Sequence, residues 1–166
     1  LSNFSSFACS LCFIPDSDIP KPGEQFGAGE KFVFENGRLA TEMGFQVSVR
    51  EIPRGDVKQD ADSYITSLDK WNELTEKDFI LWYAEKQYAS DGTNDEQLKV
   101  ISDVCDMLVN VQSDVLQASL LSDLKGKYRK GSVWKGALTD AARRRQEEKR
   151  RQANRKSEEL RGYNFY

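Results

Sequence analysis

Two segments of this chain read as β-strand, and both lie before Pro53. Residues 8–15 (Ala-Cys-Ser-Leu-Cys-Phe-Ile-Pro) make a near-continuous apolar run, of the kind buried on both faces of an α/β sheet. Residues 45–52 alternate instead, with Phe45, Val47 and Val49 on one face. Between them Phe26, Gly29, Phe32, Val33, Leu39, Ala40 and Met43 recur at spacings near three and four. That periodicity predicts a helix over 24–43, stopping at Gly44. Strand, long helix, strand is a βαβ unit, which has parallel strands and a right-handed crossover. Two strands are too few for a complete doubly wound sheet. Since position 1 is leucine rather than methionine, the expectation is that upstream strands have been lost or are supplied by another copy.

Everything after about Ser63 reads as helix, over 62–70, 75–89, 94–111, 113–129 and 132–161. The third of these carries one apolar stripe, Leu98, Ile101, Val104, Cys105, Leu108 and Val109, with Asn94 as its N-cap and Gln97 at the capping-box position. Trp71, Trp82 and Tyr83 fall at apolar helical positions and are expected in the core. The predicted fold class is therefore α/β, a parallel βαβ unit over 1–62, then an all-α helical subdomain over 63–140 and a basic helical tail over 141–166.

Charge divides the chain the same way. Residues 141–161 hold nine basic and four acidic side chains, a net +5. The whole chain carries 24 basic and 27 acidic groups, so the remainder stands at −8. There is no histidine, which removes imidazole-based acid–base catalysis, Ser-His-Asp triads and zinc sites that need His. Cys9 and Cys12 form a lone C-x-x-C with no second pair, so neither a metal nor a redox role is expected of them. No apolar run reaches the roughly 18–20 residues of a membrane span, and none resembles a signal peptide. A cytoplasmic protein without membrane partners is expected.

The most informative chemistry is Asp16-Ser17-Asp18, directly after the first strand. Ligands of open α/β sheets bind at the carboxyl ends of the strands. Paired carboxylates there suit Mg²⁺, a hard cation that takes oxygen ligands and keeps positions for water and phosphate oxygens. Aspartates also follow strands simply because they cap and turn.

Phe13-Ile14-Pro15-Asp16-Ser17-Asp18, a glycine-bearing loop, a long helix, and then Val47-Ser48-Val49-Arg50-Glu51-Ile52-Pro53 resembles the second half of a TOPRIM domain of bacterial-type DNA primases. Asp16 and Asp18 match the family's D-x-D. The loop from Gly55 to Ile65 looks like the one after the last TOPRIM strand, with Lys58, Asp60 and Asp62 as the matching positions, an extra Gln59, and alanine in place of proline. The run from Asp95 to Tyr128 is similar to the helical subdomain that follows TOPRIM in these primases. The family's glutamate and its zinc module have no counterpart, so the resemblance covers about residues 8–130 and implies a piece of a catalytic core, incomplete for catalysis by itself.

What the resemblance implies is Mg²⁺- or Mn²⁺-dependent nucleotidyl transfer in primer synthesis, from nucleoside triphosphates on a single-stranded DNA template. Asp16 and Asp18 would be the catalytic metal ligands, with Asp60 as a further carboxylate and Lys58 meeting phosphate charge. A solvated loop is the other reading of Lys58 and Asp60, and Asp62 and Ser63 can simply start a helix at Tyr64. Arg50, on a strand, is expected to face water. A second candidate is Lys125, Lys127, Arg129, Lys130 and Lys135, interleaved with Tyr128 and Trp134, which can neutralise phosphates and stack on bases. Its alternative is a basic inter-helix turn with Trp134 packed inward. The tail is expected to be a solvated helix supported by pairs such as Glu147–Arg151, or to be drawn by its +5 charge to nucleic acid or an acidic partner, or by analogy to be a linker toward a replicative helicase. The rivals are another TOPRIM protein, a nuclease or topoisomerase, and a non-catalytic helical module that binds a replication partner.

Overall fold

The computed structural model describes residues 10–55, 58–128 and 130–163. Cys9, Asp56, Val57 and Arg129 therefore lie outside the described residues. Strand β1 (Ser10–Phe13) pairs in parallel with β2 (Gln46–Arg50), Leu11 beside Val47 and Phe13 beside Val49, and helix α1 (Ala28–Glu42) makes the crossover. The expected βαβ unit is present. Gly44 ends α1 at φ +88°, a left-handed backbone that glycine adopts without penalty.

A third strand joins this unit from beyond residue 62. The segment expected as one helix over 75–89 divides into β3 (Glu76–Asp78), antiparallel to β2, and α4 (Phe79–Gln87). The Asp78 carboxylate caps α4, accepting from the Ile80 amide at 2.8 Å. Arg50 does not point into water. It donates to Glu76 at 2.8 Å and to the carbonyls of Trp71 and Leu74, and its guanidinium lies 4.3 Å over the Trp71 ring. Trp71, on α3 (Leu68–Glu73), is thus half-buried against that arginine instead of in the core.

The sheet is covered on one face. Val47 and Val49 are buried under α1 and α4. On the other face Ser10, Cys12 and Gln46 are exposed and Ser48 is half-buried. The expectation of a strand buried on both faces is corrected here: β1 is an edge strand, and Cys12 is an exposed free thiol.

Helices α5 (Asn94–Leu108), α6 (Asp114–Tyr128) and α7 (Gly131–Tyr163) complete the chain, and α2 (Ala61–Tyr64) is a single turn. The α5 cap lies one residue earlier than expected: Thr93 and Glu96 form the capping box. Phe79, Trp82, Ile101, Val104, Leu108 and Trp134 are fully buried in one core that runs from the sheet to the root of α7. The expected boundary at residue 62 falls inside a sheet that draws on both sides of it. Cys105 sits in this core, and burial pushes its thiol up to about 12, which leaves it unreactive. No helix among the described residues is long and apolar enough to cross a membrane.

Candidate functional site

The chain leaves β1 through Ile14 and buried Pro15, so Asp16 and Asp18 emerge at the strand's carboxyl end, with buried Ser17 between them. The loop after β2 returns to the same place. The Ser17 amide donates to the Gln59 carbonyl at 2.8 Å, a bridge that clamps the two loops together. The clamp runs through the backbone carbonyl of Gln59. Residues 45 positions apart in sequence then meet: the Ala61 amide donates to Asp16 Oδ1 at 3.3 Å, so Asp16 caps the short α2 from another loop.

Asp18 is held from two sides. The Gly29 amide, in the first turn of α1, donates to its Oδ2 at 2.8 Å, and Lys58 Nζ lies 3.1 Å from its Oδ1. The same ammonium lies 3.4 Å from Asp60 Oδ1. The Gly29 bond holds the Asp18 carboxyl below its ordinary range, Lys58 adds to this, and partial burial works against both. Lys58 is raised in turn, first by Asp18 and then by Asp60. All four residues singled out from the sequence, Asp16, Asp18, Lys58 and Asp60, therefore stand together at the ends of two parallel strands.

Two glycines make that approach possible. A Cβ at Gly27 would fall 2.7 Å from Asp18 Cβ, and one at Gly29 would fall 2.8 Å from the Asp16 carbonyl oxygen. The first turn of α1 thus packs almost backbone to backbone against the D-x-D segment. Gly27-Ala28-Gly29 ahead of a helix is the sequence signal for this approach; by periodicity Gly29 reads only as a small helical residue.

Behind the site is a charge network that sequence reasoning missed. Glu30 has a side chain only 7 % exposed, yet it accepts from the Gly27 amide at 3.1 Å, from Arg54 at 2.6 Å and from Lys86 at 2.9 Å. Lys86 also pairs with Glu51 at 2.6 Å. Burial alone would pull Lys86 down, but Glu51 and Glu30 outweigh it and raise it. The network ties the start of α1 to the end of β2 and to α4, and so fixes one wall of the site. Its members are scattered over 57 positions of sequence, and no local pattern announces them.

Among the described residues no three acidic or thiol side chains converge as a ready-made metal centre. What the loops present is a group of carboxylate oxygens with an ammonium between two of them.

The basic turn between α6 and α7 is built differently. Trp134 is fully buried and offers no stacking surface, and Tyr128 packs on Tyr88 with ring centroids 4.5 Å apart. Lys127 pairs with Glu85 at 3.1 Å. Lys130, at φ +52°, ties the turn to α5 through Gln97 at 2.6 Å and Asn94 at 3.1 Å. Lys125 is half-buried and Lys135 is exposed. No hydrogen bond or ion pair among the described residues joins this turn to the aspartate cluster.

No family model, no curated protein and no solved structure matches this chain.

Proposed function

We propose that the loops after β1 and β2 form the carboxylate half of a primase-like, Mg²⁺-dependent nucleotidyltransferase, a TOPRIM-type site that acts in primer synthesis on single-stranded DNA. The observation that carries this reading is that Asp16, Asp18, Lys58 and Asp60 lie on two loops clamped together where two parallel strands end, beside the first turn of a crossover helix. Ligands bind at such strand ends, and a helix N-terminus favours negative charge.

The donor set fits a hard divalent cation in part. Oxygen donors are present, and Mg²⁺ needs only one or two carboxylates when water and phosphate oxygens supply the rest. Lys58 already places positive charge between Asp18 and Asp60, so a cation shared by those two requires it to yield. Asp16 and Asp18 would hold Mg²⁺ or Mn²⁺, which would supply charge stabilisation to the oxygens of a phosphoryl transfer. The chain's own residues supply the rest. Gly29 and the Glu30 network hold Asp18 in place, the Gln59 clamp fixes the spacing of the loops, and Lys58 is the cation nearest an incoming triphosphate.

The same Lys58 bridge favours a second reading. An ammonium that neutralises Asp18 and Asp60 makes a metal unnecessary for folding, as in an inert scaffold whose helices bind a replication partner. Binding of a fluorescent nucleoside triphosphate separates the two. The first reading expects binding that depends on Mg²⁺ and is lost in Asp16→Asn/Asp18→Asn, whose folding is checked by circular dichroism. Binding indifferent to Mg²⁺ and to the double variant, or none at all, supports the scaffold.

A further inference from the structure

Helix α7 outruns the body of the molecule. Trp134 and Ala141 are buried against α5 and α6, but from Ala142 to Glu158 every side chain is exposed except half-buried Arg145. Residues 142–163 extend roughly 33 Å at the helical rise. The expected Glu147–Arg151 support is not formed. The ion pairs of α7 among the described residues are Arg143–Asp140 and Arg144–Asp106, both near its root.

The projecting half is not uniformly charged around its axis. Trp134, Leu138 and Ala141 form the seam that packs on the bundle, and the same seam runs on through Arg145, Lys149, Gln152 and Lys156 at helical spacing. On the opposite side Arg143 and Arg150 are offset by Glu147 and Glu158, and Glu148 borders the stripe. At its root the stripe opens into a cleft of about 510 Å³ between the end of α5 (Val109), α6 (Gln117) and α7 (Leu138, Ala142, Arg145, Lys149). A basic ledge thus stands over the end of the bundle.

Composition decides what such a ledge can hold. From Gln146 to Ser157 the largest apolar side chain is that of Ala153. Protein interfaces depend on buried aromatic and aliphatic anchors, and interfacial membrane helices need an apolar face; the stretch from Gln146 to Ser157 has neither. A ligand bound by cations alone is a polyanion with closely spaced charges. The rest of the chain carries −8 and repels such a ligand, which confines it to the arm.

We propose that the free half of α7 is a nucleic-acid backbone-binding arm, with Arg145, Lys149 and Lys156 engaging phosphodiester groups without reading bases. This assignment does not rest on the metal-site reading. It is tested by anisotropy of fluorescein-labelled 20-mers, single-stranded and duplex, titrated with the full chain over a range of salt. Three phosphate contacts predict a slope of log K against log salt of about −2 for the single strand and about −3 for the duplex. Lys149→Glu/Lys156→Glu should weaken binding about tenfold or more at low salt and flatten the slope. Arg143→Glu/Arg150→Glu makes the same change in net charge on the opposite face and should leave binding nearly intact. Equal losses in the two charge-reversal variants, or no binding by the wild type at low salt, would overturn the proposal. Circular dichroism of each variant confirms that the helix persists.

Discussion

At the scale of single residues, the site depends on groups that hold the aspartates as much as on the aspartates themselves. Glu30 is buried, carries two cationic partners, and caps the α1 amide. Removing one partner of such a cluster strands the others. Glu30→Ala should therefore cost roughly 3 kcal/mol in denaturant unfolding, at the low end for a buried pair because Arg54 is half-exposed. Asp18 and Lys58 define a pH window. Asp18 is depressed, so its contribution is present above the ordinary 3.8 and is lost as pH falls through its lower folded value. Lys58 is raised, so its contribution is present below 10.5 and is lost as pH rises through its higher folded value. The stability difference between wild type and Asp18→Asn should be flat between 3.8 and 10.5 and shrink in stronger acid, read as unfolding midpoints against pH. It should be small, since Lys58 is exposed and Asn keeps the Gly29 bond. Asp16 and Asp18 stand out in sequence because a strand end followed by D-x-D is a local pattern, and Lys58 and Asp60 were reached only through the expected likeness to a primase loop. Gly27, Glu30 and Gln59 were not, because their roles exist only once distant segments meet.

At the scale of elements, packing overrode local preference in several places. Glu76-Lys77-Asp78 has no β-propensity, and the period of its surroundings reads as helix. It is a strand because β2 offers it an open edge and Arg50 bonds Glu76 across the pair. A charged three-residue edge strand also discourages further pairing on that side. Helix α1 carries a comparable surprise at Gly37, where a Cβ would lie 2.4 Å from the fully buried Phe79 ring. Gly→Ala inside a helix ordinarily stabilises by up to about 1 kcal/mol. Here overpacking against a ring that cannot retreat should reverse the sign, and Gly37→Ala should lose about 1–3 kcal/mol by thermal or chemical unfolding. The end of α1 was readable, because Gly44 is a local device; the Thr93–Glu96 box is local too, yet the reading set that cap one residue late, at Asn94 with Gln97.

At the scale of the whole molecule, the chain is a small three-stranded sheet whose core continues into a helical bundle, with a charged arm beyond it. The composition shift at residue 141 marked the arm, and the core ends there too, at buried Ala141. From Gln146 to Glu158 every side chain is exposed, so ending the chain at Arg145 should leave the unfolding free energy within about 0.5 kcal/mol of the full chain. A larger loss would mean that the arm folds back on the body in solution. The one-sided sheet was not legible, because Cys12 and its neighbours are apolar enough to suit either side and only the register with Gln46 and Ser48 shows which face is open.

The claim on which the functional account turns is that Asp16 and Asp18 form a divalent-cation site with Lys58 as its competitor. Its most direct test is a Mn²⁺ titration, by calorimetry or electron paramagnetic resonance, of wild type, Asp16→Asn/Asp18→Asn and Lys58→Met. The account predicts saturable binding in the wild type, loss in the double variant, and tighter binding in Lys58→Met, where the resident ammonium is gone. Identical weak uptake by all three proteins would contradict it.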